Sequence, residues 1–389
     1  LLVVVRRIAS IDIIRGAVMV LMAIDHVRVY SGQPAGGPTA GIFFTRWVTH
    51  FCAPWFVFLA GTSAFLRGRR IAGDRTSLDV APGSLSRDLV TRGLMLVLLE
   101  LTVVRFSWTF NLDYAGFTLA GVIWMIGWCM VIMAGLVRLR TRTIGIIGVA
   151  VMALQQVFGL LPRVLPGGTR QAVAVVWNFI YPSGAPGWDA IKILYVIVPW
   201  IGVMAAGYAF GSVVIREPSS RRHWCLRAGL AATGLYLVFA VVMLLIAPAD
   251  ERPKLFMVLD PPKYPASQPF LLMTLGPILA ALPFIEDRRS STSLPSTSLR
   301  AGDRAAAVLS TFGRVPLFYY LLHIPLIHLV ALAVNFLREG AVHQEWYAAA
   351  PFAEVPEAHM WSLPLLYLVF GVVVAILYVA CRWFDRRRA

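Results

Sequence analysis

Apolar runs of helix length, bounded by arginine, proline or glycine, recur along the whole chain. A bilayer core about 30 Å thick needs roughly 20 apolar residues per helix, and ten stretches meet that requirement. They are predicted over residues 8–30, 47–66, 88–106, 115–137, 143–162, 191–215, 226–247, 268–286, 315–337 and 363–382. Pro199, Pro277 and Pro325 fall inside these stretches. Membrane helices tolerate them because neighbouring helices and polar side chains satisfy the freed backbone groups.

The polar connections test the count. Basic residues gather in alternate loops: Arg6 and Arg7, then Arg67, Arg69, Arg70 and Arg75, then Arg138, Arg140 and Arg142, then Arg216, Arg221 and Arg222, then Arg288, Arg289 and Arg300, and last Arg386, Arg387 and Arg388. The opposite loops hold fewer, among them Arg46, Arg105, Arg163, Lys192, Arg252, Lys254 and Lys263. By the positive-inside rule both termini are cytoplasmic, and one span too many or too few would destroy the alternation. The expectation is an all-α, polytopic membrane bundle of about ten spans, forming one integral-membrane domain over residues 1–389 in the cell membrane. The outer loops 163–190, 248–267 and 338–362 are long and rich in Trp, Tyr, Pro and Asp, which suits an outer cap. Residues 290–298 are rich in Ser and Thr and read as a flexible linker.

Composition agrees with lipid as the solvent: 58% of residues are hydrophobic and 14% charged, with a mean hydropathy of +0.72. A net charge of +15 raises the question of nucleic acid. The basic residues lie in short clusters between apolar runs rather than on one amphipathic face, so no nucleic-acid partner is expected. Cys52, Cys129, Cys225 and Cys381 are scattered without paired spacing, so neither a metal site nor a disulfide framework is expected. No cleavable signal is evident at the start of the chain.

The first predicted span carries Asp12, Arg15, Asp25 and His26, and ionisable groups inside a membrane segment usually pair or line a cavity. At about 100° and 1.5 Å per residue, Arg15 and His26 fall within roughly 20° of one helix face and about 16 Å apart along it. Asp12 and Arg15 have the spacing of an ion pair, whereas Asp25 points about a quarter turn away from His26 and serves a different neighbour. The same spacing also fits a bland alternative, with Asp12 and Arg15 at the cytoplasmic interface and His26 as a hydrogen-bonded helix-end residue. His323 is placed well inside a late span, and His50 and His328 are weaker candidates, since a membrane histidine also serves as a helix-to-helix hydrogen-bond partner.

Three blocks carry a resemblance. Residues 7–16 (RIASIDIIRG) followed by Asp25 and His26 resemble the start of the heparan-α-glucosaminide N-acetyltransferase catalytic family. An arginine and a histidine separated by ten residues also resemble the signature of the wider membrane acyltransferase superfamily that O-acetylates surface polysaccharides. Residues 54–63 (PWFVFLAGTS) are similar to that family's second helix, although small residues and aromatics there also suit plain helix packing. Residues 312–325 (FGRVPLFYYLLHIP) look like the late helix of these acyltransferases. The loop over residues 31–45 contains no histidine, which leaves the catalytic role to His26.

The resemblance implies acetyl-CoA as co-substrate at the cytoplasmic face, with a sugar hydroxyl or amine as acceptor on the other. His26 is then the general base and Arg15, paired with Asp12, stabilises charge on the donor, with Asp25 and His323 in support. Arg67, Arg69, Arg70 and Arg314 are candidates to hold the donor's phosphates. Direct transfer and an acetyl-histidine relay both fit these residues. Counting from Ile8, Arg15 lies about 10 Å deep and His26 about 27 Å deep, so the donor must thread an extended arm inward. The rival class is a translocator of a lipid-linked sugar or small solute, against which stands the absence of a detectable internal repeat. The oligomeric state is open.

Overall fold

The computed structural model describes residues 9–37, 39–71, 82–182, 190–246, 253–290 and 301–388. Arg6, Arg7, Arg75, Arg252 and Arg300 of the charge pattern lie outside these residues, as does the predicted linker apart from Ser290.

In chain order the helices are α1 (Ala9–Tyr30), α2 (Ala40–Trp47), α3 (Cys52–Ile71) and α4 (Pro82–Leu99). A π-helical turn at Glu100–Val104 leads into α5 (Arg105–Thr109). Strand β1 (Thr118–Ala120) precedes α6 (Val122–Leu136), α7 (Thr141–Ala153), α8 (Gln155–Leu160) and α9 (Gly167–Trp177). Strand β2 (Ile191–Ile193) precedes α10 (Trp200–Val214), α11 (Pro218–Ile246), α12 (Lys254–Leu259) and α13 (Gln268–Ser290). The chain finishes with α14 (Ala301–Arg314), α15 (Pro316–Glu339) and α16 (Leu363–Arg388).

The protein is thus a helical membrane protein, and a helix underlies each of the ten predicted stretches. Among the described residues, five helical segments are long and apolar enough to cross a bilayer: Ala40–Ile71, Pro218–Ile246, Gln268–Glu286, Pro316–Glu339 and Leu363–Arg388. The stretch predicted over 143–162 is a pair, Thr141–Ala153 and Gln155–Val164, bent by 62°. Helices α6 and α10 have only 15 residues each.

Three local expectations change. Residues 118–120 and 191–193, assigned to the starts of spans, instead pair as parallel strands, with Thr118 opposite Ile191 and Ala120 opposite Ile193. Both runs are short and rich in β-compatible residues, and each ends before its helix begins. Pro199 is not inside a helix but sits immediately before α10, whereas Pro277 and Pro325 lie within α13 and α15. Helix α14, which follows the predicted linker, appears in no predicted span.

The chain divides into two compact units. One contains residues 53–101 and 115–290 of the described chain. Here α4 packs on α6, α7 on α10 and α11 on α13. Lipid tails are as apolar as the side chains, so such pairs depend on close backbone approach and on hydrogen bonds. Gly93 and Gly127 face each other, and a methyl group on either would press on the other's carbonyl oxygen. The block Pro54–Ser63 does packing work: Trp55 Nε1 donates to Thr274 O at 2.9 Å and Thr62 Oγ1 to Gly207 O at 2.9 Å.

The second unit contains residues 9–52, 102–114 and 301–388 of the described chain. Helix α1 is its central element, packed against α14, α15 and α16. The closest approach is between α1 and α14, where a side chain on Gly16 would collide with Leu309 O and one on Gly313 with Asp12 O. This crossing brings the start of α15 alongside α1 and positions the side chains described next.

Candidate active site

Four residues of α1 form one line of contacts with α14 and α15. Asp12 and Arg15 make an i,i+3 ion pair at 3.2 Å, and Arg15 also donates to Gly313 O at 3.0 Å. The cation thereby meets the carbonyl end of α14, where the helix dipole favours positive charge. Further along, Tyr319 Oη donates to Met19 O at 2.9 Å. Beyond that, His26 Nδ1 lies 2.8 Å from His323 Nε2, with the two rings stacked at 4.9 Å. Positions 15, 19 and 26 fall within about 40° of one helix face, so a single face of α1 reads Gly313, Tyr319 and His323 in order.

His323 is fully buried, and its Nδ1 lies 2.6 Å from Tyr320 O and 3.2 Å from Tyr319 O. His26 is half-buried, with Trp108 standing edge-on at 4.8 Å. Trp108 is in turn fixed by its carbonyl oxygen, which accepts from Tyr30 Oη at 2.7 Å, and its ring stacks on that of Tyr30. The segment that carries Trp108 is organised by the buried Arg105, which donates to Thr109 Oγ1 at 3.1 Å, to Asn111 Oδ1 at 2.7 Å and to the carbonyls of Asn111 and Asp113.

Asp25 pairs with two arginines. Its oxygens face Arg28 Nε at 3.1 Å and Arg46 at 3.6 Å, and Arg28 also reaches Gln33 O. His50 is buried near Arg46 O at 3.2 Å. His328 is fully buried between Ser107 O at 3.2 Å and Gln344 Oε1 at 3.1 Å, with its ring flat on Phe110 at 3.8 Å. It ties α15 to α5 and the residue that follows it, and to the loop after Glu339. In that loop Tyr347 Oη donates to Tyr30 O at 3.2 Å and accepts from Asn335 Nδ2 at 3.1 Å. Burial pushes the Tyr347 phenol up to about 12.

The four candidate donor-binding arginines are divided between the two units. Arg67, Arg69 and Arg70 end α3 in the first unit, while Arg314 ends α14 in the second. Arg67 holds Asp88 with two nitrogens, at 2.5 and 2.7 Å, and Arg92 shares the same carboxylate at 3.0 Å. Arg314 pairs with Asp385 at 2.8 Å. Among the described residues no group of three or more His, Cys, Asp or Glu side chains is placed to hold a metal ion.

Trp108, Tyr319, Tyr30 and Arg105 were not marked by the sequence. Tyr319 had a usable signal, since it precedes His323 by one helical turn on the same face. Trp108 had none, because its contact with His26 joins α5 to α1 across a long separation in sequence.

Residues 7–246 match the family described as heparan-alpha-glucosaminide N-acetyltransferase, catalytic. The chain belongs to this family. It is accordingly a membrane transferase of the acetyltransferase class, whose donor in the family is acetyl-CoA. No curated protein matches the chain. The family match includes Asp12, Arg15, Asp25, His26 and the arginines at the end of α3, and it stops before α13. His323, which meets α1 from the far end of the sequence, lies beyond the matched residues, as does Arg314.

Proposed function

We propose that the chain moves an acetyl group from acetyl-CoA to a hydroxyl or amine of a saccharide. In this reading the donor binds at the cytoplasmic face and the acceptor is reached from the opposite face. The chain forms one domain of ten spans in the cell membrane, with both termini inside. The observation that carries the reading is the His26 imidazole on α1, hydrogen-bonded at 2.8 Å to His323, within a family of acetyltransferases.

His26 removes the proton from the acceptor oxygen or nitrogen as that atom attacks the thioester carbonyl. A C–O or C–N bond forms, the C–S bond breaks, and the departing CoA thiolate takes up a proton. Arg15, steered by Asp12, stabilises negative charge on the donor, and the water-poor surroundings strengthen that contact. Asp25 supports the site by holding Arg28 and Arg46 in place. Arg67, Arg69 and Arg70 are the candidates for the donor's phosphates in the first unit, with Arg67 exchanging a carboxylate for a phosphate, and Arg314 is a separate candidate for the same role in the second.

The test is release of free CoA thiol from acetyl-CoA by the purified protein, with and without saccharide acceptors. His26→Ala is expected to lose about 10²- to 10⁴-fold, the usual contribution of a general base. Turnover unchanged in both His26→Ala and Arg15→Ala would overturn the assignment. Mass spectrometry of surface glycans from cells with and without the protein then identifies the acceptor by its missing acetyl mass.

A further inference from the structure

Hydrogen bonding around the histidine pair determines which nitrogen carries which proton. Carbonyl oxygens only accept, so His323 Nδ1, lying 2.6 Å from Tyr320 O and 3.2 Å from Tyr319 O, must carry a hydrogen. In a neutral imidazole the other nitrogen is then a bare lone pair, so His323 Nε2 accepts. Its partner at 2.8 Å, His26 Nδ1, must therefore be the donor, which leaves the His26 lone pair on Nε2.

We infer that His323 is a positioning residue that locks His26 in the Nδ1–H tautomer and so makes Nε2 the proton-accepting atom. The inference rests on the acyltransferase reading for its consequence but not for its geometry. In hydrolase triads a buried carboxylate does this work, orienting the histidine without taking its proton. Asp25, the acidic residue next to His26 in sequence, pairs with Arg28 and Arg46. A neutral imidazole suits a membrane interior, because it fixes the tautomer without burying a second charge. The position of His323 is itself secured, by the bond from Tyr319 Oη to Met19 O one turn earlier and by the glycine contact between α14 and α1. The residue that sets the tautomer thus comes from α15, outside the residues that match the family.

Two measurements on the full-length protein in lipid bilayers test this. Solid-state NMR of isotope-labelled histidine, with the His26 signals assigned by their loss in His26→Gln, reports which ring nitrogen is protonated. Wild type is expected to show His26 protonated on Nδ1 and bare on Nε2. His323→Leu removes the acceptor and should shift His26 toward the Nε2–H tautomer, whereas the Oε1 of His323→Gln still accepts and should preserve Nδ1–H. Acetyl transfer should follow the same order. His323→Leu is expected to lower kcat about 100-fold with KM for acetyl-CoA within about threefold of wild type, and His323→Gln to recover most of the loss. Wild-type His26 protonated on Nε2, or equal kcat losses in the two variants, would overturn the inference. A wild-type protein that shows the Nδ1–H tautomer yet transfers no acetyl group would sink the functional reading and leave the tautomer assignment standing.

Discussion

Arg15 donates to the carbonyl oxygen of Gly313 at 3.0 Å, at the point where Gly313 packs so closely on the backbone of Asp12 that no side chain would fit. The two contacts depend on each other. The glycine lets α14 approach α1, and only at that distance does the guanidinium reach the last carbonyls of α14 while still holding Asp12. Ten residues after Gly313, and eleven after Arg15, the same two segments meet again at His323 and His26.

Gly313→Ala should therefore damage the site from a distance. The added methyl would strike the Asp12 carbonyl, so α14 must move away from α1 at a cost of about 1–3 kcal/mol. Thermal unfolding in detergent should show a lower midpoint than wild type, and acetyl transfer should fall with it. Gly302→Ala, in open space on the same helix, is the control and should leave both unchanged.

Arg15→Lys separates charge from geometry. A lysine keeps the positive charge but carries it on a differently shaped stem, whereas in Arg15 the single nitrogen Nη1 donates to both Asp12 and Gly313. If Arg15 fixes the register of α1 against α14, Arg15→Lys should lose most of the activity lost by Arg15→Ala. Activity near wild type in the lysine variant would assign Arg15 a purely electrostatic part.

Much of this arrangement could be read in the chain. Apolar run length located a helix at every predicted stretch, and the eleven-residue interval between Arg15 and His26 placed both on the face that meets α14 and α15. The quarter turn between Asp25 and His26 is consistent with the pairing of Asp25 to Arg28 and Arg46. The partner of His26 was marked only as a candidate, because nothing local says that residues 297 apart will touch. Strand pairing at Thr118–Ala120 and the 62° bend between α7 and the segment after it were illegible for a related reason. Hydropathy reports what lipid will accept, not whether a short apolar run finds a strand partner or stays straight.

Glu100 offers a test in the first unit. It sits in the π-helical turn after α4, fully buried, and its Oε2 accepts from Ile123 N at 3.2 Å, where α6 has no capping side chain of its own. A side chain on Gly121 would strike this carboxylate, so the glycine is what admits it. Glu100→Ala leaves backbone donors at a buried helix start without their acceptor, at about 1–2 kcal/mol. Glu100→Gln keeps an acceptor oxygen and should melt closer to wild type. Equal melting of the alanine variant and wild type would show that α6 needs no such cap.

The loop after α15 should loosen in alkali through Tyr347. Its phenol is raised by burial from 10.0 to about 12, so the folded state holds the proton to higher pH than the unfolded chain does. The stability this group contributes is full below pH 10 and is lost as pH rises through about 12, because the unfolded state releases the proton first. Losing that proton also removes the donor to Tyr30 O and places a negative charge beside that carbonyl. Hydrogen exchange across residues 340–350 should accelerate over this window in wild type. In Tyr347→Phe exchange should already be faster at neutral pH, since the bonds to Tyr30 O and Asn335 are gone, and should show no further step between pH 10 and 12. A wild-type profile flat across that window would mean that the phenol is not held neutral by its surroundings.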